Sequence, residues 1–320
     1  MAPFPSVSVS PPIPVPAAKT HQTDNIIGPG KTDLLQSRLS SLAFCVILSI
    51  DSRGKTIYNT NDTRKEGVSF VNLILILAAV IPAVFLLVQV YRADRLEKEP
   101  LSLLISLVLW GVVATELAAL SEQAGILILQ RLFRPSQAVA WNFRWAGPTQ
   151  AVAAQGSVVY DALLYFGVVA VSEEGFKFLL LHRRTWREPE FNCCFDGVVY
   201  AVFLSLGFAL WENIRYVLAY GFGTAIARAL TAVPGHACFG VFMGAWYGAA
   251  KREDLSGKRQ KSRWLRFLAF LVPCLLHGAY DFIATTRLLE YGWLFLPFVA
   301  GLFLVSVGLV RHLSRGDRFI

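Results

Sequence analysis

The chain has 320 residues, 55% of them hydrophobic and only 16% charged, with a mean hydropathy of +0.50. A soluble domain cannot hide that much apolar surface, so the composition excludes an ordinary soluble enzyme and places the chain in a lipid bilayer. The net charge of +8 does not imply a nucleic-acid partner, because most Lys and Arg fall in short segments between apolar runs, where they orient the chain.

Residues 1–66 begin Pro-rich and continue polar, with one short apolar run at Ser41 to Ile50. A helix needs about 20 residues to cross the hydrocarbon core, so this run is too short to span, and it lies too far from Met1 for a signal peptide. The region is expected to be a mostly disordered tail with at most one surface helix; a miscalled start codon is the other reading. Residues 67–313 form the transmembrane part, and 314–320 a short basic tail.

Seven apolar runs are expected to be transmembrane helices: Phe70 to Tyr91, Leu101 to Leu120, Ala162 to Leu181, Gly197 to Leu218, Ala225 to Ala250, Trp264 to Ala284 and Trp293 to Val310. The fold class is therefore all-α, a polytopic transmembrane bundle. Connections after the first, third, fifth and seventh runs are rich in Arg and Lys, such as Arg92, Arg95 and Lys98, or the basic series from Lys251 to Arg266. By the positive-inside rule the C-terminus is cytoplasmic and the N-terminus outside, although Arg64 and Lys65 stand against it. The loop from Ser121 to Asp161 contains Trp141, Phe143 and Trp145, which suit the headgroup layer. Cys45, Cys193, Cys194, Cys238 and Cys274 show no CxxC or ligand-like spacing and are expected to be free thiols.

Ionisable residues concentrate inside the third to sixth runs. The third carries Glu173, Glu174 and Lys177; the fourth Glu212, Asn213, Arg215 and Tyr216; the fifth His236, with Arg228 near one end; the sixth His277 and Asp281. The second holds Glu116. Four acids and Lys177 at mid-bilayer would cost on the order of 15 kcal/mol if left unpaired, so they must face one another or a wet cavity. Glu173 and Lys177, Glu212 and Tyr216, and His277 and Asp281 are each four apart and share a helical face. Gly240 and Gly244 follow His236 at four and eight residues and admit a close neighbouring helix. Pro234 and Gly235 are expected to break the fifth helix and aim His236 inward.

Two chemistries fit such a set. In one, Glu173, Glu174, His236 and His277 bind a divalent ion such as Zn²⁺, which makes bound water acidic, and a free Glu is the general base. In the other, Glu173 or Glu174, made more basic by burial, activates water with a histidine, while Asn213 and the other histidine stabilise the oxyanion. Asp281 would orient His277, and Lys177 and Arg215 would neutralise carboxylates. Either way the reaction is hydrolysis, with Glu173, Glu174, Glu212, His236 and His277 as catalytic candidates. An ion-coupled transporter and a non-catalytic membrane scaffold are the rival readings.

These residues resemble the PrsW family of intramembrane proteases, distant relatives of the type II CAAX prenyl proteases and bacteriocin-processing membrane proteins. The resemblance rests on EExxK at Glu173, Glu174 and Lys177, GFAxxENxxY at Gly207 to Tyr216, HxxxG at His236 and Gly240, HxxxD at His277 and Asp281, and the acidic turn YRADRLEKEP at Tyr91 to Pro100. It covers about residues 70–310. It implies site-1 cleavage of a single-span membrane protein, such as an anti-sigma factor, near its extracytoplasmic side in a bacterial plasma membrane. The family implies a metallopeptidase, whereas related enzymes look glutamate-dependent. The N-terminal tail is a departure, since the family core does not need it.

Overall fold

A computed structural model describes residues 63–133, 158–285 and 288–320. The expected N-terminal tail and the aromatic segment Trp141 to Trp145 lie outside the described residues.

The helices are α1 (Thr63–Ala93), α2 (Leu101–Phe133), α3 (Val158–Ala162), α4 (Ala170–Thr185), α5 (Asp196–Tyr220), α6 (Phe222–Leu230), α7 (Ala232–Leu255), α8 (Arg259–Thr285) and α9 (Leu288–Arg315). A π-helical stretch, Leu163–Val169, joins α3 to α4. Among the described residues six spans are long and apolar enough to cross a membrane: α1, α2, α5, α6 with α7, α8 and α9. The seventh expected span is the run α3–π–α4, which at about 1.5 Å per residue is roughly 40 Å long. Its hydropathy is lowered by the acids and Lys177 that it turns inward. Among the described residues the only β pairing is an isolated bridge between Cys193 and Phe319.

Helix α5 is the axis of the bundle. In its most apolar window 78% of residues are buried, against 11% in α9, which lies at the lipid-facing periphery. Small residues bring α7 against α5. A Cβ added at Gly244 would fall 2.4 Å from Gly197 O and Val198 Cα, and one at Gly240 3.0 Å from Val202 Cα, so only glycine permits this approach. The exposed apolar side chains, including Ile81, Ile105, Leu109 and Leu304, lie on the outside of the bundle, where lipid would cover them.

Two expectations about the helices need correction. Helix α2 does not end at Leu120; it continues to Phe133, and Glu122 and Gln123 are buried on its inner face. The polar SEQ triplet is disfavoured by lipid but not by a polar bundle interior, and hydropathy alone does not separate the two. The fifth run breaks at Thr231, where φ is −125° and ψ −65°, rather than at Pro234–Gly235. Pro234 instead sits in the first turn of α7, where no intrahelical N–H donor is required.

Candidate active site

The acids and histidines of the middle helices meet in one buried cluster. Glu173 projects from the first turn of α4 and Glu174 follows it, His236 projects from the start of α7 and His277 from α8. One ligand atom from each of these four residues lies within 4.8 Å of the others. Glu174 and Lys177 are fully buried, and Glu173, His236 and His277 retain only a few per cent exposure.

Lys177 organises the carboxylates. Its Nζ donates to Glu174 Oε1 at 2.8 Å and to Glu173 Oε2 at 3.3 Å, and it lies 3.1 Å from His236 Nδ1. It also sits 3.9 Å from the centroid of the Phe208 ring. An ammonium has no acceptor, so His236 Nδ1 must accept from it. On the other side of the ring, Nε2 lies 3.0 Å from Glu212 Oε2, the same oxygen that receives Arg228 Nη2 at 2.7 Å. A carboxylate paired with arginine has only acceptors to offer, so Nε2 donates to it and the tautomer of His236 is fixed. Ser205 Oγ donates to the His236 backbone oxygen at 2.8 Å and steadies the start of α7.

His277 is held from both ends. Its Nδ1 donates to Glu174 Oε1 at 2.9 Å, while Nε2 lies 3.3 Å from Asp281 Oδ2 and 3.8 Å from Glu173 Oε2. The ring stacks on Phe239 with centroids 4.8 Å apart. Asp281 is thus placed to orient His277, in the manner of carboxylates that support working histidines. The π-helical stretch packs beside this histidine: a Cβ on Gly278 would meet Phe166 Cδ1 at 2.5 Å. Such π turns are frequent at functional sites, and here the turn immediately precedes the helix that carries Glu173.

The remaining candidates surround the cluster. Asn213 is fully buried, but its Nδ2 donates to Ala79 O at 3.1 Å and its Oδ1 accepts from Arg228 Nε at 3.0 Å. Its amide therefore joins α1, α5 and α6. Tyr216 lies under Arg228, with the guanidinium carbon 4.0 Å from the ring centroid. Glu116 accepts from Trp211 Nε1 at 2.6 Å and pairs with Arg215 at 3.4 Å, so it fastens α2 to α5 outside the cluster.

Sequence reasoning noted Arg228 without assigning it a partner and passed over Glu122. Arg228 is the partner of Glu212, and the signal was available: a lone Arg in the apolar stretch GTAIARAL needs an acid nearby. Glu122, in the unforeseen extension of α2, lies within electrostatic reach of Glu173, Glu212, His277 and Asp281. Nothing in its local sequence distinguishes it from a loop acid.

The arrangement brings a carboxylate with limited exposure, Glu173, beside a histidine and a network that fixes both. Such a set can take a proton from water and pass one to a leaving group. Comparison with known proteins agrees in kind. A family model described as PrsW family intramembrane metalloprotease matches residues 99–307. Protease PrsW of Geobacillus kaustophilus is 35% identical over 213 residues, covering 67% of this chain and 80% of that protein. Protease PrsW of Halalkalibacterium halodurans is 36% identical over 168 residues, 52% and 76% of the two chains, and that of Bacillus subtilis 30% over 225 residues, 70% and 88%. No solved structure matches.

Proposed function

Since the chain belongs to the PrsW family and is a multi-pass membrane peptidase, we propose that the Glu173–Glu174–His236–His277 cluster hydrolyses a peptide bond of a single-span membrane protein. The observation that carries this reading is the convergence of those four side chains within 4.8 Å inside an apolar bundle. Glu173 is the base: of the two adjacent acids it is the less enclosed, with 9% side-chain exposure against none for Glu174. Glu174 is occupied by Lys177 and His277 and acts as a positioning residue. His277, with Nδ1 fixed by Glu174, presents Nε2 toward Glu173 and Asp281, from which a proton can reach the leaving amine. Glu212 and Arg228 hold His236 in one tautomer.

The donor set suits the divalent ion that a metalloprotease family implies. Two imidazoles and two carboxylates are ligands that Zn²⁺ accepts, and Glu174 Oε2 is buried without a hydrogen-bond partner. Glu173, Glu174, His236 and His277 would hold the ion, which when bound would supply Lewis acidity and a more acidic water. Lys177 touches three of these four residues, so ion binding requires it to withdraw; in a metal-free mechanism it stays and balances the carboxylates.

The substrate that fits is a single transmembrane span, an anti-sigma factor being the type the family suggests, cut near its extracytoplasmic side. This orientation has the C-terminus cytoplasmic and the N-terminus outside, in a bacterial plasma membrane, following the distribution of Arg and Lys. The test is reconstitution of wild type, Glu174→Gln and His277→Ala in liposomes with a candidate single-span protein, with and without a chelator. Cleavage by wild type alone is expected. Full cleavage by both variants sinks the assignment, and chelator-insensitive cleavage by metal-stripped wild type selects the metal-free mechanism.

A further inference from the structure

A second group of buried acids lies at the other end of α5. About 24 Å of helix separates Asp196, its first residue, from Glu212. Around Asp196 gather the turn after α1, which supplies Asp94 and Glu99, the segment before α5, which supplies Cys193, and the C-terminal segment, which supplies Asp317. Cys193 Sγ and one carboxylate oxygen each of Asp196 and Asp317 lie within 4.8 Å of one another. Asp94, Cys193, Asp196 and Glu99 are all at least nine-tenths buried.

Basic side chains compensate these carboxyls only in part: the Lys98 charge acts on Asp94 from a distance, but none is in direct contact. Among the described residues no Lys or Arg forms an ion pair with Asp94, Glu99, Asp196 or Asp317. Lys98, close in sequence, directs its Nζ to the backbone oxygens of Tyr91 and Asp94. Backbone amides satisfy part of the set: Asp196 Oδ2 accepts from Asn192 N at 3.0 Å and Cys193 N at 2.6 Å, and Asp317 Oδ1 from Phe195 N at 3.0 Å. Tyr200 donates to Glu99 at 2.6 Å. Two buried oxygens remain without a partner, Asp94 Oδ2 and Asp317 Oδ2. Asp94 faces the group closely enough for its charge to act on Asp317, Cys193 and Asp196.

Buried carboxylates need hydrogen bonds, protons or a cation, and two oxygens here lack the first. Ligand atoms lie about 2.0–2.3 Å from a divalent transition ion, so a set spread over less than 4.8 Å is of the right size for one. A thiol among carboxylates favours Zn²⁺ or Co²⁺ over Mg²⁺ or Ca²⁺. We propose that Cys193, Asp196 and Asp317, with Asp94 beside them, bind a divalent transition-metal ion that is distinct from any ion of the protease cluster. On binding, the Cys193 S–H bond breaks, sulfur bonds to the ion and the proton leaves to solvent. The ion fastens the C-terminal segment, already paired through Cys193 with Phe319 and through Ile320 N to Asn192 O at 2.8 Å, onto the start of α5, with the α1–α2 turn beside it.

The test is a Co²⁺ titration of the full-length, chelator-stripped protein in detergent, read as the near-ultraviolet thiolate-to-cobalt absorption that only a cysteine ligand produces. Wild type, Cys194→Ser and His277→Ala are expected to develop the band at saturating Co²⁺, with an amplitude of one cobalt–thiolate per chain. Cys193→Ser is expected to lose it, and Asp317→Asn, on the chain's last residues, to weaken Co²⁺ binding tenfold or more without unfolding the bundle. No band in wild type at saturating Co²⁺, or an unchanged band in Cys193→Ser, overturns the proposal. Because the band does not report on the protease cluster, failure of the catalytic reading leaves this result intact.

Discussion

Lys177 Nζ lies 2.8 Å from Glu174 Oε1, and neither side chain has any exposure to solvent. Removing one member of such a buried pair leaves the other charge uncompensated, at a cost of about 3–5 kcal/mol. Lys177→Met is therefore expected to lower the melting temperature of the detergent-solubilised protein sharply and to abolish cleavage. Adding Glu174→Gln to that variant removes one of the two carboxylates that Lys177 pairs with and should restore part of the stability without restoring activity. A Lys177→Met protein that melts like wild type would show that the pair does not carry this charge balance.

Arg228 reaches both Glu212 Oε2 and Asn213 Oδ1, and through Glu212 it fixes His236. Lysine keeps the charge but lacks the fork needed to meet both acceptors. Loss of one hydrogen bond to a charged group is worth about 1.5–3 kcal/mol. Arg228→Lys should slow cleavage roughly 10- to 100-fold, on the scale where each 1.4 kcal/mol is a factor of about ten. Arg228→Met should in addition lose stability. Equal rates for Arg228→Lys and wild type would separate Glu212 and His236 from the chemistry.

The approach of α7 to α5 is what brings His236 to the cluster. A methyl at Gly244 would fall 2.4 Å from backbone atoms of Gly197 and Val198, which have no flexible end to yield. Gly244→Ala is expected to destabilise by about 1–3 kcal/mol and to reduce cleavage, since α7 must shift. Gly308→Ala, whose Cβ would meet nothing within 4 Å, is the control and should be neutral in both assays.

The inward-facing set was legible in the sequence because lipid makes buried charge conspicuous. Glu173 and Lys177 announce a shared face by their spacing, and the HxxxD spacing puts Asp281 beside His277, as the 3.3 Å contact reflects. What escaped was polarity adjoining a loop. Glu122 follows an apolar run in a stretch that reads as its end, and only packing against the π-helical stretch and α4 reveals a continuing helix. Gly125 lies against Val168, and Ser121 Oγ meets Ser172 Oγ at 2.9 Å. The break at Thr231 escaped for a related reason, since proline in a first helical turn and proline that breaks a helix look alike in sequence. The role of Asn213 depends on a carbonyl of α1, at Ala79, that no local pattern points to.

In the proposed mechanism Glu173 activates the water that cuts the substrate. Its most direct test is the cleavage rate of Glu173→Gln against wild type, both reconstituted with the same single-span protein and matched for thermal stability. The expected result is a loss of about 100- to 10,000-fold, the range for removal of a general base, with the melting temperature retained. Cleavage by Glu173→Gln at the wild-type rate would show that Glu173 is not the base.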